Sequence, residues 1–82
     1  MIQVRRQPEF LAHAEALEHW ARARERAVLV LECEVEHALR QGLVDQALHL
    51  RSAAAHLRRA ALEERRRAAR LREATAAHAH PA

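Results

Sequence analysis

The stretch Ala38-Leu39-Arg40-Gln41-Gly42-Leu43-Val44-Asp45-Gln46-Ala47 contains the only glycine of the 82-residue chain, and the chain is expected to turn back on itself there. Glycine tolerates the left-handed backbone that ends many helices, and a basic residue such as Arg40 suits the last turn before it. Asp45 is the natural N-cap for whatever helix follows. Outward from this point, no Gly or Pro interrupts the chain back to Pro8 or forward to Pro81. Ala, Leu, Arg and Glu, all strong helix formers, fill both stretches. Pro8 fits the first turn of a helix, where its missing N–H leaves no bond unmade. The spacing therefore predicts an N-terminal arm over 1–8, helices over 9–41 and 45–77, a turn over 42–44 and a frayed tail over 78–82. The fold class is all-α: one domain, an antiparallel two-helix hairpin of coiled-coil type.

Apolar residues recur at alternating steps of four and three along the first helix: Phe10, Ala14, Leu17, Ala21, Val28, Leu31, Val35 and Ala38. The second helix carries one seam of Leu43, Leu50, Leu57 and Leu71 and another of Ala47, Ala54, Ala61 and Ala68. Leu on one seam and Ala on the other lets two helices approach closely. Each helix has one interruption, Arg24 in the first and Glu64 in the Leu seam of the second. Residues equidistant from the turn face each other in a hairpin, so these two are predicted to meet and set the register.

Half the residues are apolar, but 20 of the 82 are Ala, and the aromatic residues are Phe10 and Trp20 alone. So little bulk cannot enclose a catalytic cleft, and the chain holds no Gly-rich phosphate loop and no nucleophile–base–acid set. Cys33 lies between Glu32 and Glu34, whose charges oppose thiolate formation. The expectation is a non-enzymatic protein without a cofactor. A single cysteine fits a reducing compartment. The N-terminal Arg5-Arg6 pair is followed by no apolar core segment, and no run approaches a membrane span. A cytoplasmic protein with no membrane partner is expected.

Two other chemistries need weighing. Cys33, Glu34 and His37 share helical spacing with metal ligands, and His49 falls near them across the turn. A carboxylate-bridged site needs further inward-facing Glu, and the second helix has none before Glu63. These positions read as surface residues. All fourteen basic residues are Arg, and Arg58, Arg59, Arg65, Arg66, Arg67, Arg70 and Arg72 cluster in the second helix. Helical spacing spreads them over several faces, Glu63 and Glu64 sit among them, and no aromatic side chain is near to stack on a base. The sequence argues against nucleic acid as a partner.

A different set of residues points to protein. Leu29, Val30 and Cys33 fall away from the main seam of the first helix, and Leu48 and Leu62 widen the second to one side. A lone hairpin cannot cover both faces of a helix. These five residues are the predicted partner-binding set, and the partner is another helical protein or a second copy that completes a bundle. The second copy would give a self-assembling four-helix dimer, with any metal or nucleic acid bound on its surface.

Two resemblances follow from quoted residues. Gln41-Gly42-x-x-Asp45-x-Ala47-Leu48, with Ala54 beyond, resembles the inter-helix turn of a tetratricopeptide repeat, although the flanking helices are far too long for a repeat of about 34 residues. More broadly, residues 27–62 resemble the small helical-hairpin co-chaperones of bacterial type III secretion needle subunits. The likeness lies in Leu31-Glu32-Cys33 through Ala38-Leu39-Arg40-Gln41-Gly42, then Gln46, Leu50, Ala54 and Leu57. It implies a cytoplasmic, non-enzymatic chain docked on a repeat-type chaperone through Leu29, Val30, Cys33, Leu48 and Leu62. The longer helices and the Arg-rich end depart from that family.

Overall fold

The computed structural model describes residues 2–79. It contains two helices, α1 over Ile2–Arg40 and α2 over Val44–Ala79, folded into a hairpin 62 Å long and 16 × 14 Å across. The turn works through glycine. Gly42 has φ +74°, its N–H donates to the Leu39 carbonyl at 3.0 Å, and the Leu43 N–H reaches back to the Ala38 carbonyl at 2.9 Å. Those two bonds form a Schellman cap, which satisfies carbonyls that the end of α1 would otherwise leave open.

All four helix ends differ from the sequence expectation. α1 begins at Ile2, so Pro8 lies inside the helix and not in its first turn. No helix breaker stands between Ile2 and Gln7, and the helix propagates back past the one bond that Pro8 cannot donate. α1 ends at Arg40, and Gln41 belongs to the turn. α2 begins at Val44, and the Ala47 N–H donates to the Leu43 carbonyl at 3.0 Å. Leu43 therefore occupies the cap position, and Asp45 acts as an acidic residue within the first turn, favoured there by the helix dipole. At the other end α2 continues through His78 and Ala79; the rest of the predicted tail, 80–82, lies outside the described residues.

The core is a single narrow seam between the helices. Ala47, Ala54, Ala61 and Ala68 are the buried residues of α2, while Leu50, Leu57 and Leu71 are only half-buried. Alanine explains this order: without bulk on the inner seam the two backbones draw close, and the leucines are turned to the flank. From α1, Ala14, Leu17, Ala21, Val28, Val35 and Ala38 close the seam. Leu17 and Ala14 pack with Ala68 and Leu71 at the open end, and Val35 and Ala38 pack with Ala47 and Leu50 beside the turn. The helices thus keep one register from end to end.

Candidate interaction surface

The two seam interruptions meet. Arg24 Nε donates to Glu64 Oε1 at 2.9 Å, with Glu64 only 15% exposed and Arg24 39%. This is a charged hydrogen bond at mid-height of an otherwise apolar seam.

One edge of the hairpin is a ladder of ion pairs that the sequence reading missed. Arg65 donates from Nε and Nη2 to the two carboxylate oxygens of Glu25 at 2.7 and 2.6 Å. Arg72 grips Glu18 in the same forked way at 2.9 and 2.7 Å, and Arg58 Nη2 donates to Glu32. Glu18, Glu25 and Glu32 descend α1 in steps of seven, and Arg58, Arg65 and Arg72 climb α2 in the same step. Matching heptad positions beside the core must face each other in an antiparallel pair. That shared step was the available signal, and it leaves Arg59, Arg66 and Arg67 as the members of the cluster with no ion pair to a described residue.

The forked bonds shift the titration of the carboxylates. The Arg72 guanidinium holds Glu18, and that of Arg65 holds Glu25, below the ordinary value of 4.5. A carboxyl group whose folded pKa is depressed stabilises the fold above its unfolded value and loses that contribution as pH falls through the folded one. Denaturant midpoints are therefore expected to hold steady above about pH 5 and to drop progressively as pH falls below 4.5. Replacing Glu18, Glu25 and Glu32 with Gln should flatten that drop; an unchanged acid profile would remove the ladder from the account. These pairs are exposed, and salt should weaken them as acid does.

The five predicted partner-binding residues are all exposed, but they do not form one patch. Leu29, 64% exposed, and Leu62 stand on opposite banks of a groove of about 440 Å³ on the ladder edge. Val28 and Ala61 line it as well, and the Glu25–Arg65 and Glu32–Arg58 pairs bound it along the hairpin. Leu48 lies on the Leu62 side of α2, two heptads nearer the turn. Helical geometry turns Val30 to the other edge, with Cys33 on the outer back of α1 between them. Sequence alone could show that these side chains leave the seam; which edge each one joins follows only from the pairing of the helices.

Trp20, Leu39, Leu43 and Val44 are also exposed, and Trp20 is the largest of the exposed side chains outside the predicted set. It is 56% exposed, with the His19 ring edge-on at 5.6 Å. It follows Ala16 by four residues and precedes Ala23, Ala27 and Val30 by three, seven and ten. That spacing is a second seam on α1, on the Val30 side.

The metal candidates stay apart. Among the described residues no three His, Cys, Asp or Glu side chains lie close enough to share an ion. Cys33, Glu34 and His37 are exposed on α1, and His49 Nδ1 donates to the Asp45 carbonyl at 2.8 Å, which ties up that nitrogen. No described helix is long and apolar enough to cross a membrane. Comparisons of the chain with protein-family models, with curated proteins and with solved structures found no match.

Proposed function

We propose that the chain is a non-enzymatic interaction module that acts by laying apolar helix surface against another helical surface. One observation carries this reading. Among the described residues eight large apolar side chains are exposed: Trp20, Leu29, Val30, Leu39, Leu43, Val44, Leu48 and Leu62. The buried core holds three residues larger than alanine, Leu17, Val28 and Val35, and no large side chain in it is fully enclosed. Scattered apolar residues are ordinary on protein surfaces, but a surface richer in bulk than the core marks an association site. Cytoplasmic residence belongs to the same reading, supported by a lone exposed cysteine. The co-chaperone of a type III secretion needle subunit is its most specific form. It rests on the pattern of residues 27–62, and it would make Leu29, Val30, Cys33, Leu48 and Leu62 contacts to a repeat-type chaperone.

A photo-crosslinking side chain tests the reading in living cells. Placed at Leu29 or Val30 it should give one or a few adducts of defined mass, whether with a second copy or with another protein. Placed at Ser52, an exposed position on the outer face of α2, it should give none. Equal yields at all three sites would sink the proposal.

A further inference from the structure

We infer that the second seam of α1, formed by Ala16, Trp20, Ala23, Ala27 and Val30, docks antiparallel against the same seam of a second copy of this chain. This rests on the interaction-module reading and names the partner for one of its surfaces. The seam recurs at steps of four, three, four and three, the spacing that packs one helix against another. Trp20 and Val30, 56% and 58% exposed, stand at its two bulky points, and Ala23 and Ala27 form a half-buried hollow between them. α2 offers nothing equivalent on this edge. The corresponding positions are Ala53, His56, Ala60, Glu63, Arg67 and Arg70, with Arg70 3.7 Å from Glu63, and none is a large apolar residue. α1 alone therefore faces two helices.

A second copy fits because the seam reads the same in both directions. Turned end over end about a two-fold axis near residue 25, Trp20 falls beside Val30 of the other copy and Ala23 beside Ala27. Large meets medium at both ends of the contact, and small meets small at its middle, where the two helices can approach closely. A two-fold contact of this kind is self-complementary, as closed dimers require.

Charge selects the antiparallel sense. Glu34 continues the seam at the turn-proximal end and forms no ion pair with a described residue. Arg67 and Arg70 lie at the opposite end of the same edge, where they line a shallow groove with His13. The packing of Ala68 and Leu71 on Ala14 and Leu17 fixes their level along α1. Antiparallel docking carries Glu34 of each copy to the level of Arg67 and Arg70 of the other. Parallel docking would set Glu34 against Glu34 and Arg67 against Arg67.

Area and the opposite edge agree. The chain exposes 6341 Å², whereas a compact monomer of 9.4 kDa exposes about 5,000 Å². The excess, about 1,300 Å², is larger than the roughly 800 Å² that each partner buries in a standard interface. The ladder edge is a poor place to bury it, since a copy docked there would desolvate six paired charges.

Sedimentation equilibrium of the full chain from 1 to 100 μM tests the inference, with circular dichroism as the folding control. The expected species is a dimer of twice 9.4 kDa. Trp20→Ala should raise its dissociation constant at least about 30-fold, as for a buried aromatic anchor. Val30→Glu should leave a helical monomer, and Leu29→Glu should leave the dimer intact. If Val30→Glu loses helicity, Trp20→Ala and a disulfide test decide the matter. In a Cys33→Ser background, chains carrying Ala23→Cys mixed with chains carrying Ala27→Cys should form mixed disulfide dimers, and either alone should form few. A wild-type chain that stays monomeric overturns the inference, as does a dimer lost with Leu29→Glu and kept with Val30→Glu. Self-linking by Ala23→Cys alone, as efficient as the mixture, overturns the antiparallel sense. A monomer that still crosslinks to a different protein from position 29 or 30 fails this inference and leaves the module reading standing.

Discussion

Ala61→Leu is expected to destabilise the hairpin by about 1–3 kcal/mol, the usual cost of forcing extra methylene groups into a closed seam. Ala61 is 2% exposed in the middle of the α2 alanine row, with Val28 beside it in the wall of the groove. Three added carbon atoms cannot fit between the two helices at this close approach, although the groove lies to one side. The helices must move apart, and that movement also loosens the Glu25–Arg65 and Glu32–Arg58 pairs that bound the groove on either side. The same substitution at Ala69, one heptad beyond Leu62 and exposed, should change stability by less than about 0.5 kcal/mol. Chemical denaturation of both variants checks the pair. Equal effects at the two positions would mean that close approach through alanine does not hold the helices together.

Arg24→Glu should destabilise the fold by about 1–2 kcal/mol. A hydrogen bond between charged groups contributes roughly 1.5–3 kcal/mol, and solvent reaching the half-exposed guanidinium lowers that. The substitution removes the donor at 2.9 Å and sets a second carboxylate against Glu64, which the seam keeps mostly from water. Glu64→Arg in the same chain should recover most of the loss, because the reversed pair can meet in the same register. The double-mutant cycle reads the coupling directly. A double variant no more stable than Arg24→Glu alone would show that the pair does not set the register.

Much of the hairpin was legible in the sequence for two physical reasons. One glycine between two long runs of helix formers permits few folds, and the Leu and Ala seams repeat at the interval that paired helices need. The Arg24–Glu64 contact was legible because both residues interrupt seams at comparable distances on either side of the turn. The ion-pair ladder was harder to see. Its carboxylates and guanidinium groups lie on different helices, and each row alone looks like a solvated face. Only a register turns two rows into a ladder. Helix ends were misplaced by one to seven residues, since a proline in the second turn need not stop a helix with good helix formers on both sides.

The partner-binding set shows the same limit. Leu29, Val30, Cys33, Leu48 and Leu62 were recognisable as residues outside the seam. Their division between two edges was not, because a helical wheel places a side chain relative to its own helix alone. Trp20 escaped attention because it sits one position before Ala21 of the main seam, where it passes for a flanking residue. On the folded hairpin it belongs to an edge with Val30, away from the ladder. The ladder edge carries the three inter-helix ion pairs, whereas on the other edge α1 presents the Trp20–Val30 seam.

Docking of the Trp20–Val30 seam on a second copy would make the thermal midpoint depend on chain concentration. A partner that binds only the folded chain raises the midpoint by mass action. The midpoint should climb steadily from 1 to 100 μM in the wild-type chain and stay flat in Val30→Glu. A wild-type midpoint independent of concentration over that range would rule out the second copy as the occupant of this seam.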